Sequence, residues 1–161
     1  PTDTKLGNFL REFAEQHSGV SLACMVAADR YEHIINEIMP ALGEGKIVIS
    51  DRYILSSLIL QEMDGVGTEF ILNTNSEIIK PDLQLAVIAD EKILQERLSE
   101  RDVLTRFEKE NQSKRELDFM EKGVRELGKH NIDIMNIYNN DNLDENVEKV
   151  ISYIADRWRK V

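Results

Sequence analysis

An aspartate and an arginine stand side by side, Asp51-Arg52, directly after Lys46-Ile47-Val48-Ile49-Ser50. A short β-branched run without alternation predicts a strand buried in a parallel sheet. In open α/β sheets, ligands gather beyond the carboxyl ends of the strands. At such an end Asp51 has the chemistry to hold a magnesium ion through water, or to orient an attacking oxygen. Arg52 has the geometry to fork onto a phosphate, which a lysine lacks. A strand-end salt bridge with no chemistry explains the same pair equally well.

Two other arginine sites stand out. Arg30 lies in Ala27-Ala28-Asp29-Arg30, inside a helical stretch among small and apolar residues. It is either a ligand contact or a snorkelling side chain paired with Asp29 or Glu37. Arg97 and Arg101 share a helix face, and Arg106 follows in a segment of weak periodicity. Arginines converging from a mobile flap can neutralise a transferring phosphoryl group, where charge stabilisation is nearly the whole of catalysis. A solvated face paired with Glu96 and Glu100 is the alternative. His17, His33, His130 and Cys24 have no metal-ligand spacing. Ser56-Ser57 is a candidate helix N-cap, a ligand contact, or both. Neither G-x-S-x-G nor G-x-x-x-x-G-K-[ST] occurs in the 161 residues.

The elements that must position these residues follow from periodicity. Leu6, Phe9, Leu10 and Phe13 predict a first helix, broken at Ser18-Gly19. A second runs from about Ser21 to Leu42 and ends at Gly43 and Gly45. Residues 56–63 read as helical. Lys80-Pro81-Asp82 introduces a second buried strand, 83–88. Helices over 91–101 and about 115–129 flank a charged segment, 102–115. A third strand over 132–138 precedes a final helix carrying Val147, Val150, Ile151, Ile154 and Trp158. Strands separated by helices predict an α/β fold with a parallel sheet flanked by helices, in one domain over 1–161.

The bulk composition narrows the partners. A hydrophobic fraction of 42% is ordinary for a globular domain, and the net charge is −10. That charge disfavours non-specific binding to nucleic acid or an anionic membrane. A single cysteine points to a reducing compartment, and no apolar run is long enough to span a bilayer. A cytoplasmic location is expected. The chain opens on Pro1-Thr2-Asp3-Thr4, which reads as mid-loop, so a piece of a longer protein is expected.

Taken in order along the chain, these pieces resemble the thymidylate kinase family of P-loop nucleoside monophosphate kinases. Pro1-Thr2-Asp3-Thr4-Lys5-Leu6-Gly7 is similar to the end of the family's R-E-P-x-x-T-x-L-G. Ala27-Ala28-Asp29-Arg30 resembles F-A-A-D-R. Pro40-Ala41-Leu42 with Gly45 through Tyr53 resembles P-A-L-x-x-G-x-x-V-I-x-D-R-Y. Ser56-Ser57 and Gln61 match S-S-x-A-Y-Q in part, and Pro81-Asp82-Leu83 matches P-D-L. Arg97, Arg101 and Arg106-Phe107-Glu108 resemble the lid, about 98–115.

The resemblance implies a P-loop kinase fold, with three of the usual five strands in this chain. It implies transfer of the γ-phosphoryl group from ATP, with magnesium, to dTMP, giving dTDP and ADP. Arg52 would hold the acceptor phosphate, and Asp51 would help place it and the magnesium. Arg30 would hydrogen-bond the base, with Ser57 and Gln61 lining the base and sugar pocket. Tyr53 and Arg97 would be further substrate contacts, and Arg101 and Arg106 would close over the triphosphate. A homodimer packed through helices, residues 21–42 among them, is also implied. In the family the P-loop strand and helix precede the point where this chain begins, and that strand is central in the sheet. Apolar surface is therefore expected to lie open here, and this chain alone is expected to be inactive. Val26 replaces the family's stacking phenylalanine, and Ile59-Leu60 replaces Ala-Tyr, so base and sugar selectivity is expected to be relaxed. The alternatives are a kinase of another nucleotide or a nucleoside, and a degenerate, non-catalytic member.

Overall fold

The structure, a computed structural model, describes residues 2–102, 104, 106–109, 112–140 and 142–158. Pro1 and the side chains of Phe107 and Trp158, singled out above, lie outside the described residues, as does Thr105. The element order is α1 (Lys5–Gln16), α2 (Gly19–His33), a π-helical turn (Ile34–Ile38), α3 (Met39–Gly43), α4 (Ile54–Met63), α5 (Thr68–Thr74), β1 (Gln84–Ile88), α6 (Glu91–Ser99), α7 (Arg106–Lys109), α8 (Ser113–Lys129), β2 (Ile134–Tyr138) and α9 (Leu143–Trp158).

The expected helix over 21–42 is a continuous run from α2 through α3, with the π-helical turn in its middle. Pro40 supplies the reason. It has no N–H to give the carbonyl of Asn36, and its ring crowds that carbonyl. The helix widens just before it, and Met39 N–H bonds to the carbonyl of Ile34 instead. The run stops in a Schellman motif. Gly45 takes φ +74°, its N–H bonds to Leu42 O at 2.9 Å, and Lys46 N–H bonds to Ala41 O at 3.0 Å.

β1 and β2 pair in parallel, with Gln84 opposite Ile134 and Ile88 opposite Tyr138. Among the described residues the sheet has these two strands. The expected strand at Lys46–Ser50 is corrected: the segment is not hydrogen-bonded into the sheet. Its β-branched run suits a strand, but a ladder needs a neighbouring strand as well. Ile47 is 63% exposed and Ile49 89% exposed, as an unpaired strand segment would be. Beside this, the helix-rich α/β class stands.

The core is built around α4. Ile54, Leu55, Leu58 and Ile59 are buried with Ile71 of α5 and Leu127 of α8. Each such side chain contributes about 1.5–3 kcal/mol relative to exposure. α4 is therefore the rigid spine to which the polar residues below are fixed. The start of the chain is also tied down. Thr2 N–H and Oγ1 bond to the buried Asp29 carboxylate at 2.9 and 2.6 Å, and Thr4 Oγ1 caps α1 at Gly7 N–H, 3.2 Å. A Cβ on Gly7 would lie 2.0 Å from the carbonyl oxygen of Thr2, so this approach requires glycine.

Candidate active site

Arg30 projects from the last turn of α2 toward α4 and the end of α5. Its Nη2 donates to Ser57 Oγ at 2.6 Å and to the carbonyl of Tyr53 at 3.3 Å, and its Nη1 donates to Asn75 Oδ1. The Tyr53 ring lies 5.4 Å from the guanidinium carbon. Neither expected ion pair forms. Asp29 holds Thr2, and Glu37 sits 3.4 Å from His33. Every hydrogen-bond partner of Arg30 is thus neutral. Burial pushes its guanidinium below the ordinary value, while Tyr53, Tyr31 and Asp29 pull it back up. The Tyr53 phenol is pushed up by burial and pulled down by Arg30.

Ser57 and Gln61 are one turn apart on α4, so they share a face. Gln61 Nε2 donates to Ser57 Oγ at 3.3 Å. Ser57 Oγ accepts from both neighbours, which leaves its own hydrogen for another acceptor. Gln61 Oε1 is buried without a hydrogen-bond partner among the described residues. Ser57 is not an N-cap: α4 begins after Tyr53, without a side-chain cap bond.

Asp51 and Arg52 are both exposed. Arg52 takes φ 65°, the left-handed region that non-glycine residues rarely occupy, and Ser50 Oγ donates to its carbonyl at 3.1 Å. The pair borders a cleft of about 920 Å³ between residues 46–53 and β1, lined also by Ile59, Leu60 and Glu116. Burial pushes the Glu116 carboxyl up, Arg52 pulls it down, and Glu108 pushes it up further. Tyr53 joins the two halves of the site. It borders the cleft, and its carbonyl and ring hold Arg30.

The three arginines expected of a lid go to three different places. Arg97 Nη2 donates to the carbonyl of Asn139 at 2.9 Å, at the carboxyl end of the sheet. Arg101 pairs with Glu108 at 2.6 Å, rather than with Glu96 or Glu100. Arg106 lays both terminal nitrogens on Asp64, at 2.8 Å each. The structure therefore gathers Arg30, Tyr53, Ser57 and Gln61, and sets Asp51 and Arg52 at the edge of the adjoining cleft. Sequence reasoning missed Asn75, Asp64 and Glu116. Aspartate and asparagine are common in the polar turns that follow helices, so nothing local marks Asn75 or Asp64.

No group of three His, Cys, Asp or Glu suited to a metal gathers among the described residues. A magnesium ion on a nucleotide needs only one or two protein carboxylates beside phosphates and water. Asp51, exposed at the cleft, fits that demand. Among the described residues no helix is long and apolar enough to cross a membrane.

A small parallel sheet packed against α8 in a helix-rich α/β fold is consistent with the fold of P-loop nucleoside monophosphate kinases. The comparison with known proteins narrows this. The family model described as thymidylate kinase matches residues 1–151. A thymidylate kinase of Caldicellulosiruptor saccharolyticus is 34% identical, covering 99% of this chain and 81% of that protein. Probable thymidylate kinases of Pyrococcus horikoshii and Pyrobaculum aerophilum are 37% and 38% identical over 68% and 67% of this chain. The chain belongs to the thymidylate kinase family. Those alignments span 57% and 58% of the two archaeal proteins.

Proposed function

We propose that the protein containing this chain transfers the γ-phosphoryl group of ATP to dTMP, giving dTDP and ADP. The observation that carries the reading is the Arg30 cage. Three bonds to neutral partners use three of the five guanidinium N–H donors. Two donors remain for a ligand among the described residues, in a half-buried setting suited to the carbonyl oxygens of a base. The free hydrogen of Ser57 and the orphaned Gln61 Oε1 add a donor and an acceptor beside it.

Arg52 holds the acceptor phosphate with its fork, and Asp51 holds magnesium, which supplies charge neutralisation on the phosphates when bound. Arg101 and Arg106 exchange their carboxylate partners for triphosphate oxygens as the lid, about 98–115, closes. Arg97 adds a substrate contact from the end of the sheet. Ile47 and Ile49 lie open beside the cleft, an apolar edge suited to a further strand of the sheet. The enzyme is a cytoplasmic homodimer. Val20, Ile35 and Met39 are more than half exposed on the long helical run, in support of an interface there.

The test is turnover by the full-length protein across a panel of monophosphates and nucleosides. dTMP is expected to give the highest kcat/KM. Preference for a nucleoside or a purine monophosphate would overturn the reading.

A further inference from the structure

We propose that Asn75 is a positioning residue for acceptor specificity, acting through Arg30. Asn75 is 4% exposed and follows the end of α5. Its Nδ2 donates to the carbonyl of Ile71 at 2.7 Å, which fixes the amide so that Oδ1 must face the other way. Oδ1 then accepts from Arg30 Nη1. The backbone around it is clamped independently by the neighbour of Arg30. Tyr31 Oη donates to the carbonyl of Thr74 at 3.0 Å and accepts from Glu77 N–H at 3.3 Å. Asn75, just past α5, and Ser57, on α4, hold the two terminal nitrogens of Arg30. Together they set the plane of the guanidinium, and so the direction of its remaining donors.

The amide is also the one side chain of this size that fits both partners. An aspartate would lose the donor to Ile71 and present a charge to Arg30. That would replace the neutral cage with an ion pair and reduce the pull of Arg30 on a ligand oxygen. A serine is shorter and keeps an oxygen without the fixed orientation.

This inference rests on the kinase reading, and its test separates the two. Steady-state kinetics of the full-length protein compare wild type, Asn75→Ala, Asn75→Asp and Asn75→Ser, each also in an Arg30→Ala background. KM for dTMP is expected to rise about tenfold in Asn75→Ala and more in Asn75→Asp. KM for ATP is expected to stay within twofold. In the Arg30→Ala background the same changes are expected to have no further effect. If wild type turns over dTMP but the Asn75 effect is additive with Arg30→Ala, or equal on ATP and dTMP, the positioning role is wrong. The same holds if none of the three variants changes KM for dTMP. If wild type shows no turnover, the kinase reading fails and takes this inference with it. Should Asn75→Ala not fold, Asn75→Ser gives the same comparison with a smaller cavity.

Discussion

Arg106 and Asp64 form a two-pronged ion pair, 2.8 Å at each contact, between α7 and the C-terminus of α4. The Asp64 side chain is 6% exposed and that of Arg106 23%. α7 is thereby tied to the spine of the core. Asp64→Asn keeps the shape and removes the charge. It is expected to cost about 1–3 kcal/mol of unfolding free energy, as the loss of a part-buried charged hydrogen-bond pair does. It is also expected to lower KM for ATP, because the ion pair that the triphosphate must displace is weakened. Urea unfolding and initial rates measure the two effects, and a raised KM would show that Asp64 assists ATP binding.

Arg52 holds a strained backbone, φ 65°, at the edge of the cleft. A left-handed conformation costs an L-residue about 1–2 kcal/mol and glycine almost nothing. Arg52→Gly is therefore expected to melt higher than Arg52→Ala, by about 1 kcal/mol in stability, although alanine is ordinarily the more stabilising of the two. Thermal unfolding decides the order. A reversed order would mean the strain is absent in solution. The strain sits where the proposed role needs a guanidinium aimed outward, the pattern expected of a functional residue.

Glu116 gives a pH signature. Burial raises its carboxyl above the ordinary 4.5, and this outweighs the pull of Arg52. The folded state therefore binds the proton more tightly than the unfolded state. The contribution of Glu116 to stability is full below pH 4.5 and is lost as pH rises through its raised value. Glu116→Gln is expected to be more stable than wild type at pH 7 and to flatten the slope of stability just above pH 4.5. Denaturation series at several pH values test this. An unchanged slope would place the charge of Glu116 in water.

Ile35 is 59% exposed on the π-helical turn, with Met39 54% exposed one turn on. If that patch is the dimer interface, Ile35→Lys is expected to give a monomer by light scattering at micromolar concentration. A variant with the mass of the wild-type assembly would move the interface elsewhere.

Much of the candidate site was legible because its motifs are local. Ala27 through Arg30, Asp51-Arg52-Tyr53 and Ser56 through Gln61 are short stretches, and the structure joins Arg30 to Tyr53, Ser57 and through it Gln61. What stayed hidden depends on distance along the chain. Arg106 is 42 residues from Asp64, and Arg30 is 45 from Asn75. No periodicity reports such meetings. The strand over 46–50 was misjudged for a related reason. Propensity describes one segment, whereas a ladder is a property of two. The π-helical turn had a readable cause in Pro40, which periodicity alone treats as one more helical position.

The most direct measurement is turnover of dTMP with ATP by the full-length protein, beside its Arg52→Ala and Arg101→Ala variants. The account predicts dTDP and ADP from wild type and losses of about 100-fold or more in kcat/KM for each variant, the scale of a removed charge-stabilising group. No turnover in wild type, or rates unaffected by both substitutions, would contradict it.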